Sequence, residues 1–479
     1  MKHTDITTTT ENNDIEQFFS SLPLNDLILT NLESLNYKQM TPIQAKSLPL
    51  MLNGDDIIAK AKTGSGKTAA FGLALLHRLN VKFFAVQALV LCPTRELAEQ
   101  VCQALRRLAR LMPNVKIINL SGGIPMRPQL DSLRHGAHIV VGTPGRVQKH
   151  LDKQSLTLDK LQVLVLDEAD RMLDMGFLDD IKKIIDHCPK KRQNLLFSAT
   201  YPDTIKALCG DFFHNMKEVT VEVDQEEQPI EQRFYEVDRA ENKFSLLSAI
   251  LLHYKPSSSL IFCNTKQQTS IVTDMLQKTG FSALALNGDM EQVDRDLVLT
   301  RFTNRSCSIL VATDVAARGL DIKELPAVIN FDLAFDKDVH IHRIGRTGRA
   351  GSHGLALSLT TAADAYRVCA IEDNLGQPVY WGNQNDLTTN DKTIPLPEMI
   401  TLCINSGRKD KIRPGDILGA LTKDAGLPGD AIGKINITAL HAYIAIHRNQ
   451  IDKAYRYLQN GKLKGKKVTV RKVHYTQTD

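Results

Sequence analysis

The sequence predicts an α/β fold, with two parallel-sheet domains followed by a small C-terminal α+β domain. Short apolar runs bounded by Gly, Pro, Thr or Asp alternate with longer helical patterns over most of the chain. Such runs are typical of buried parallel strands, and strand, helix and strand in series give α/β layers. The length of 479 residues leaves room for about three domains of ordinary size.

Two polar stretches divide the chain. The acidic, Pro-containing stretch 222–232 predicts one interdomain linker, and the stretch 381–397, rich in Asn, Asp, Thr and Pro, predicts another. Strands are predicted at 56–59, 88–92, 138–141, 163–166 and 195–197, and then at 260–263, 308–311 and 328–331. The predicted organisation is a disordered N-terminus at 1–14, domains at 15–222, 230–380 and 394–474, and linkers at 223–229 and 381–393.

The composition excludes several classes of protein. Apolar residues make up 43% and charged residues 24%, which argues against a disordered, collagen-like or coiled-coil chain. The sequence has no apolar run long enough for a transmembrane helix, and its start lacks the apolar segment of a secretory signal. The 8 cysteines form no CxxC pair, so a zinc ribbon is not expected. Scattered cysteines are typical of a reducing compartment, and we expect a cytoplasmic protein without a membrane partner.

Positive charge is concentrated at the C-terminus. Residues 392–479 contain 16 Lys and Arg against 7 Asp and Glu, which gives +9, whereas the whole chain carries +5. A basic block behind a slightly acidic body favours a domain that binds a polyanion such as nucleic acid. A solvated Lys-rich surface is the alternative.

Polar motifs follow nearly every predicted strand. The first four strands lead directly into the segments 60–68, 93–98, 143–146 and 167–170. Open α/β sheets bind ligands outside the carboxyl ends of their strands. We therefore expect these motifs to line one edge of each sheet.

The first motif is a variant of the Walker A phosphate-binding loop, AKTGSGKT. It comprises Ala61, Lys62, Thr63, Gly64, Ser65, Gly66, Lys67 and Thr68. Its glycines allow the backbone to wrap phosphate oxygens, and N–H groups at the following helix N-terminus point at the anion. Lys67 supplies a cation to the β- and γ-phosphates, and Thr68 offers a hydroxyl to Mg²⁺. The alternative is a Gly-rich turn with an accidental lysine.

The fourth motif, Asp167-Glu-Ala-Asp170, follows an apolar strand. Asp167 at the strand end suits Mg²⁺, held through water, because Mg²⁺ dehydrates reluctantly. Glu168 is placed to position and deprotonate the attacking water. Taken alone, the tetrapeptide could be an acidic helix cap, but together with the Walker A loop it predicts a nucleotide hydrolase.

The full set of motifs narrows the class of nucleotide hydrolase. In order along the chain they are AKTGSGKT (61–68), PTRELA (93–98), TPGR (143–146), DEAD (167–170), SAT (198–200), ATDVAARGLD (312–321) and HRIGRTGR (342–349). Over about residues 16–375 this ordered set closely resembles the DEAD-box RNA helicase family. The resemblance implies two RecA-like lobes that close over ATP and RNA, an RNA-dependent ATPase, and ATP with Mg²⁺ as cofactors.

The resemblance also assigns residues around the nucleotide. Thr41-Pro-Ile-Gln44 resembles the Q motif, whose glutamine amide recognises the adenine edge. Phe19 resembles the aromatic that stacks on adenine, although Phe18 is adjacent and a core position is the alternative. Asp321, with Gly319 beside it, resembles the residue that binds the ribose.

Further assignments concern hydrolysis and its coupling to closure. Arg346 and Arg349, flanked by glycines and His342, resemble the arginine fingers that reach the γ-phosphate. The hydroxyls of Ser198 and Thr200 can hydrogen-bond Asp170 and connect the hydrolysis site to the second lobe. A plain helix cap at Ser198 is the alternative.

The residues implied in RNA binding are small hydroxyl residues, glycines and arginines, which suit phosphate and sugar contacts. They are Thr94, Arg95, Gly122, Gly123, Thr143 and Arg146 in the first lobe and Thr265, Arg295 and Thr313 in the second. Each threonine alone could equally cap a helix. Such contacts carry no base specificity, and discrimination against DNA would come from the 2′-hydroxyl.

The C-terminal domain has a predicted βαββαβ order, that of the ferredoxin-like RRM fold. Strands are predicted at 399–404, 432–437, 442–446 and 467–473, with helices at 415–425 and 452–458. Only His441 and Tyr443 remain as rings for base stacking on the sheet, and Cys403 occupies the usual aromatic position of the other central strand. Two clusters of basic residues are predicted to contact phosphates, and a solubilising surface is the alternative. The first comprises Arg408, Lys409, Lys411 and Arg413, and the second comprises Lys462, Lys464, Lys466 and Lys467.

The tail segments IRPGDILGALT (412–422), IGKINI (432–437) and LQNGKLKGKKVTVR (458–471) closely resemble the DbpA subfamily of bacterial DEAD-box proteins. This resemblance implies a monomeric helicase that docks on a hairpin of 23S ribosomal RNA and remodels nearby helices in large-subunit assembly intermediates. Two alternatives use the same motifs: an ATP-dependent RNA clamp that does not unwind, and a DNA helicase.

Overall fold

The structure, a computed structural model, describes residues 18–61, 64–198, 200, 216–221, 230–317, 325–348, 354–387 and 393–473. The chain separates into two compact units, with the break near residue 223. The described part of the first, up to residue 221, is called lobe one. The second contains lobe two, residues 230–387, and the C-terminal module, residues 393–473. The predicted N-terminus at 1–14 and linker at 223–229 lie outside the described residues.

Lobe one is a parallel sheet covered by helices on both faces. Its strands are β1 (Ile57–Lys60), β2 (Ala88–Leu91), β3 (Ile117–Leu120), β4 (Ile139–Gly142), β5 (Val163–Asp167), β6 (Gln193–Ser198) and β7 (Lys217–Thr220). Its helices are α1 (Asp26–Ser34), α2 (Pro42–Asn53), α3 (Lys67–Arg78), α4 (Arg95–Leu108), α5 (Met126–Leu133), α6 (Pro144–Asp152), α7 (Ala169–Asp174) and α8 (Leu178–Asp186). Among the described residues the sheet order is β3-β4-β2-β5-β6-β1-β7.

Strand β5 shows why these apolar runs form buried strands. Val163 and Val165 pack into one hydrophobic core, whereas Leu164 and Leu166 pack into another. Successive side chains of a strand point to opposite faces, so a continuous apolar run is needed where both faces are covered. Each fully buried Val or Leu contributes about 1.5–3 kcal/mol to folding.

Lobe two repeats this architecture with strands β8 (Glu231–Glu236), β9 (Ser259–Phe262), β10 (Ala283–Leu286), β11 (Ile309–Ala312), β12 (Ala327–Asn330) and β13 (Leu355–Thr360). Its helices are α9 (Lys243–Tyr254), α10 (Lys266–Lys278), α11 (Gln292–Thr303), α12 (Asp314–Ala317), α13 (Lys337–Ile344) and α14 (Ala365–Leu375). The order within the described ranges is β10-β11-β9-β12-β13-β8. Two parallel-sheet domains are therefore confirmed.

The C-terminal end of lobe two extends into a segment predicted as a linker. Strand β8 begins at Glu231, within the domain predicted at 230–380. At the other end, Phe234 of β8 donates its N–H to Tyr380 O at 2.9 Å and pairs with Trp381. This contact covers the edge of the sheet, so the predicted connector at 381 starts as part of lobe two. Composition did not indicate this extension because residues that pair along a sheet edge can be polar.

The C-terminal module has strands β14 (Met399–Ile404), β15 (Ile432–Ile437), β16 (Ala442–His447), β17 (Lys462–Leu463), β18 (Lys466–Lys467) and β19 (Val470–Lys472). Its helices are α15 (Pro414–Gly419), continued by a wider turn to Asp424, and α16 (Ile451–Asn460). The antiparallel order β15-β16-β14-β19 confirms the predicted βαββαβ arrangement. The last strand was predicted at 467–473, but the hairpin of β17 and β18 takes the first of these residues and β19 begins at Val470.

None of the helices in the described ranges has the length and apolar character needed to cross a bilayer.

Candidate functional site

The Q motif packs against the phosphate-binding loop. Helix α2 begins after Thr41 with a capping box, in which Thr41 N–H donates to Gln44 Oε1 at 2.9 Å. Thr41 Oγ1 donates to Ser65 O at 2.7 Å, and Gln44 Nε2 donates to Gly66 O at 3.1 Å. The amide keeps one further donor and one acceptor position, so its predicted contact with an adenine edge stays open.

The loop itself has the backbone shape that an anion site requires. Gly64 and Gly66 have φ angles of +92° and +98°, in the left-handed region that favours glycine. A Cβ on Gly66 would also lie within 2.9 Å of Thr41 Oγ1. Helix α3 begins immediately afterwards with Lys67 and Thr68, so its N-terminal N–H groups face the loop.

Lys67 and Asp167 are both buried at the carboxyl edge of the sheet, 6% and 3% exposed. Lys67 Nζ donates to Ala61 O at 2.9 Å. Burial raises the pKa of Asp167 to about 7, partly offset by the positive charge of Lys67. A buried carboxylate and a nearby hydroxyl on Thr68 are the ligands that a Mg²⁺–phosphate complex needs from a protein, so the residues fit the predicted metal.

Glu168 has an unusual backbone. Its φ and ψ are +53° and +52°, and it serves as the N-cap residue of α7. The left-handed region costs a residue other than glycine about 1 kcal/mol or more. This geometry places Glu168 at the tight turn between β5 and α7, directly after Asp167, and its side chain is half-buried.

Asp170 and Thr200 are joined as predicted, but Ser198 is not. Thr200 N–H and Thr200 Oγ1 each donate to Asp170 Oδ2 at 2.9 Å. Ser198 Oγ donates instead to the backbone oxygen of Thr200. The prediction that both hydroxyls bind Asp170 was therefore wrong for Ser198, because its hydroxyl closes the turn after β6.

Phe19 lies in the core of lobe one. It is 3% exposed, and its ring meets Tyr37 edge-on with centroids 6.1 Å apart, whereas Phe18 is 53% exposed. Its contacts are those of the core aromatic considered as the alternative. Stacking of Phe19 on adenine stays a prediction that these contacts do not support.

The predicted RNA residues of lobe one meet at one half of the sheet edge. Thr94 and Arg95 follow β2, Gly122 and Gly123 follow β3, and Thr143 and Arg146 follow β4. The Arg95 guanidinium packs so closely on Gly122 that a Cβ there would lie 3.0 Å from Arg95 Nε. Thr94 also caps α4, accepting from Leu97 N–H at 3.2 Å. The sheet order thus separates this RNA half, β3-β4-β2, from the phosphate half formed by β5, β6 and β1.

Gln129 is a residue that the sequence analysis missed. It is 3% exposed, and its Oε1 accepts from Arg146 Nη1 at 2.7 Å and faces His150 Nε2 at 3.0 Å. Arg146 Nη1 also donates to Ile124 O at 3.1 Å, next to the glycine pair. Burial and the charge of Arg146 lower the pKa of His150. Gln129 therefore fixes Arg146 against the glycine loop.

The predicted RNA residues of lobe two occupy the corresponding half, at β10-β11-β9. Thr265 follows β9 and caps α10, accepting from Gln268 N–H at 3.1 Å. Thr313 follows β11, and Arg295 on α11 donates through Nη1 to Asn287 O at 3.1 Å. Both threonines also fill the capping role considered as the alternative, and the two roles are compatible because a hydroxyl can donate elsewhere.

Arg343 connects these motifs and was also missed. It is 1% exposed, and Nε and Nη2 both lie 2.7 Å from the carboxylate of Asp314. Nη2 further donates to Asn264 Oδ1 at 2.8 Å, and Nη1 donates to Asp332 O at 2.6 Å. Only a planar guanidinium can serve all these acceptors. The signal was present in HRIGRTGR, where only the flanking residues were assigned.

The remaining predicted phosphate residues of lobe two are partly described. His342 lies in the last turn of α13, and Arg346 follows that helix, its backbone oxygen accepting from Leu325 N–H at 3.2 Å. Lys62, Thr63, Gly319, Asp321 and Arg349 lie outside the described residues.

Lobe two contacts one face of the module sheet at Thr401. Thr401 of β14 is fully buried, its hydroxyl lies 2.7 Å from Ser306 Oγ, and Asn304 Nδ2 donates to it at 3.3 Å. Tyr443, a predicted ring for base stacking, pairs across the sheet with Cys403, which occupies the usual aromatic position, and both lie on the same face as Thr401. Cys403 is buried and Tyr443 half-buried. At Thr401 the sheet face therefore has no room for a nucleobase.

The two basic clusters form one surface. Lys464 donates to Lys411 O at 2.9 Å and pairs with Asp416 at 2.9 Å, which brings the β17–β18 hairpin against the 408–413 segment. All eight basic residues of the clusters are exposed. We call this surface the basic patch. Clustered Lys and Arg of this kind suit the phosphates of a structured nucleic acid.

Comparison with known families matches three parts of the chain. The DEAD/DEAH box helicase model matches residues 41–208, the helicase conserved C-terminal domain 242–351, and the DbpA RNA binding domain 401–472. These matches cover the Q motif with the phosphate half and the RNA half of lobe one, the core motifs of lobe two, and the module.

Individual proteins agree with this division. The ATP-dependent RNA helicase DbpA of Escherichia coli (strain K12) is 52% identical over 443 residues, covering 92% of this chain and 96% of that protein. DbpA of Bacillus subtilis (strain 168) is 37% identical over 95% of this chain and 99% of its own. The solved structure of S. cerevisiae Dbp5 bound to RNA and ADP BeF3 is 29% identical, with a TM-score of 0.70 over 77% of this chain and 96% of that one.

Proposed function

This chain belongs to the DEAD-box family of ATP-dependent RNA helicases, within its DbpA group, and from that premise we propose that it remodels 23S ribosomal RNA in large-subunit assembly intermediates. The observation that supports this substrate is the basic patch on a module whose sheet face is partly covered by lobe two at Thr401. Such a module reads the charge and outline of a folded RNA rather than a run of unstacked bases.

ATP hydrolysis is assigned to the phosphate half of lobe one. Lys67 and the N-terminus of α3 hold the phosphates, and Glu168 positions and deprotonates the attacking water. Thr68 and, through water, Asp167 would hold Mg²⁺, which when bound would neutralise charge on the phosphate oxygens. Gln44 recognises adenine, and Asp321 the ribose.

Arg346 and Arg349 complete this proposal from lobe two. A guanidinium spreads charge over the equatorial oxygens of the transferred phosphoryl group. Because these arginines and Lys67 belong to different lobes, hydrolysis requires lobe closure, and turnover then follows a conformational change. Arg343 supports them by holding the segments of Asp314 and Asn264 in register.

The RNA strand is assigned to the sheet-edge halves of the two lobes. Arg95, Arg146 and the N–H groups at Gly122 and Gly123 contact backbone phosphates in lobe one, and Thr265, Arg295 and Thr313 do so in lobe two. These contacts position a strand without reading its sequence. Target choice therefore falls to the module, which raises the local concentration of one RNA at the core.

The experiment is ATPase stimulation by a panel of 23S rRNA fragments, tested on the full chain. A double variant, Lys466→Ala with Lys467→Ala, removes two exposed charges from the basic patch. Lys190→Ala with Lys191→Ala removes two exposed charges from lobe one and is the matched control. We expect one hairpin-containing fragment to stimulate the wild type and the control at the lowest concentration.

In the basic-patch variant the concentration of that fragment needed for half-maximal stimulation should rise about tenfold or more, because each lost phosphate contact weakens binding. Stimulation by unstructured RNA should be unchanged. Equal stimulation of the wild type by all fragments would remove 23S rRNA as the substrate while leaving the helicase assignment intact.

A further inference from the structure

We propose that lobe two carries an additional base-stacking site, which we call the aromatic platform, formed by Phe335, Tyr366 and Arg367. It would hold a nucleobase of single-stranded RNA that extends beyond the core path. This inference rests on the proposed RNA path of lobe two.

The platform is an exposed stack of two rings and a guanidinium. Phe335 and Tyr366 are 69% and 64% exposed, unusual for large aromatic side chains. Arg367 Cζ lies 4.8 Å from the Phe335 ring centroid and 5.3 Å from that of Tyr366. Both rings therefore keep surface toward solvent while a cation lies against them.

An ion pair and hydrogen bonds hold the stack in place. Arg367 Nη1 pairs with Asp364 at 3.0 Å, and Arg367 Nε donates to Tyr366 Oη at 2.8 Å. Asp364 is buried and accepts in turn from Thr361 N–H at 3.0 Å. A stack whose geometry is fixed before binding loses little conformational entropy when a base settles on it.

The position of the platform continues the proposed RNA path. Phe335 follows β12, and α14, which carries Tyr366 and Arg367, follows β13, so all three lie at the carboxyl edge of the sheet. Strand β12 is the neighbour of β9, whose end carries Thr265. The RNA half β10-β11-β9 thus leads directly to the platform.

Buried charged residues connect the aromatic platform to the end of β9. Lys243 lies 3.9 Å from Asp364 and 3.6 Å from Asp332. Asp332 accepts from the N–H of Asn264, the residue before Thr265, at 3.1 Å. The platform and the end of β9 therefore belong to one packed region of lobe two.

The chemistry of the platform fits a nucleobase. Every base has a π face that can stack on an aromatic ring or on an arginine plane, so such contacts tolerate any sequence. Lys337, exposed two residues after Phe335, offers a cation to the adjoining phosphate. This matches a core that must hold RNA without reading it.

The test compares three oligouridylates bound to the full chain with ADP BeF3. One has core length, one is extended by about three nucleotides at the 5′ end, and one is extended equally at the 3′ end. Fluorescence anisotropy gives the dissociation constant of each. The variants are Phe335→Ala, Phe335→Trp, which retains a stacking ring, and Phe83→Ala, an exposed phenylalanine of lobe one, as the matched control.

We expect one of the two extensions to tighten binding of the wild type and of the Phe83→Ala control about five- to tenfold, the effect of one stacked base. Phe335→Ala should lose this gain and bind the core-length oligonucleotide normally, and Phe335→Trp should restore it. A crosslink from 5-iodouridine in the extension to lobe two should disappear in Phe335→Ala.

Three results would overturn the platform while leaving the helicase assignment intact. They are two extensions that both add no affinity in the wild type, a Phe335→Ala variant that keeps the gain, and an equal loss for the core-length and the extended oligonucleotides. The first would point to a protein as the occupant of the rings. Failure of the wild type to bind any of the three oligonucleotides would instead refute the proposed RNA path itself.

Discussion

The hydroxyls of Thr401 and Ser306 lie 2.7 Å apart in a buried contact that joins the C-terminal module to lobe two. Asn304 donates to the same threonine, and Met399 N–H of the module donates to Arg305 O at 3.2 Å. This contact lies on the sheet face that RRM domains commonly offer to bases. The module therefore uses part of that face for attachment to lobe two.

Thr401→Val should destabilise this attachment. Valine has a similar shape but leaves Asn304 Nδ2 without its acceptor in a buried place, which costs about 1–3 kcal/mol. Thermal unfolding should show a lower Tm for the transition of lobe two and the module. Thr469→Val, at an exposed position of the module, is the control and should change little. An unchanged Tm in Thr401→Val would mean that the contact contributes nothing.

Arg343→Lys should reduce RNA-stimulated ATPase activity by about tenfold or more, since small displacements of catalytic segments have large effects. Lysine keeps the charge but cannot serve Asp314, Asn264 and Asp332 together. Steady-state kinetics should show the loss in kcat. Arg305→Lys alters an exposed ion pair with Glu398 and should be neutral. Normal kcat in Arg343→Lys would exclude the positioning role.

Gln129→Leu should weaken RNA binding about tenfold and leave ATPase activity without RNA unchanged. The substitution removes the acceptor shared by Arg146 and His150, which frees the Arg146 guanidinium to move and leaves the buried His150 Nε2 without its partner. Anisotropy with a labelled RNA gives the affinity. The exposed Gln103→Leu is the control. If both variants bind RNA equally well, Arg146 does not depend on Gln129.

Glu168→Gln should retain ATP and RNA binding but lower kcat at least 100-fold, because the amide cannot accept the proton of the attacking water. Nucleotide affinity and turnover are measured separately on the same preparation. The variant keeps the size and hydrogen-bonding reach of the side chain and so controls for shape. Undiminished turnover would remove Glu168 from catalysis.

Asp167→Asn should change how stability depends on pH. Burial raises the pKa of Asp167 from 3.8 to about 7, so the folded state binds more protons than the unfolded state between these values. Ionisation thus destabilises the wild type as pH rises through this window. We expect the stability gained by Asp167→Asn, measured without nucleotide or Mg²⁺, to be large at pH 8 and to shrink toward pH 5. A pH-independent gain would contradict the raised pKa.

Much of the fold follows from local pattern. Val163 to Leu166 form a strand because an uninterrupted apolar run suits a sheet covered on both faces, and the sequence predicts this strand directly. Strand β7, Lys217–Thr220, could not be predicted from the sequence, since three of its four side chains are exposed at the sheet edge. Local composition cannot distinguish such a strand from a loop.

The residues of the candidate site also fall into those that local sequence predicts and those whose roles depend on distant contacts. Lys67, Glu168 and Arg146 were identified because they stand inside short motifs. Gln129 and Arg343 were missed because their roles depend on partners far away in sequence, such as Arg343 with Asn264. The prediction for Ser198 was wrong for a related reason, since the direction of its hydroxyl is set by the turn that follows β6.

Trp381 is the chain's single tryptophan, and it is 47% exposed where it pairs with Phe234. Indole emission from the intact protein consequently originates from one location, the outer margin of lobe two. Melting or rearrangement there can be followed optically without attaching a dye, and signals from the remainder of the chain will not obscure it.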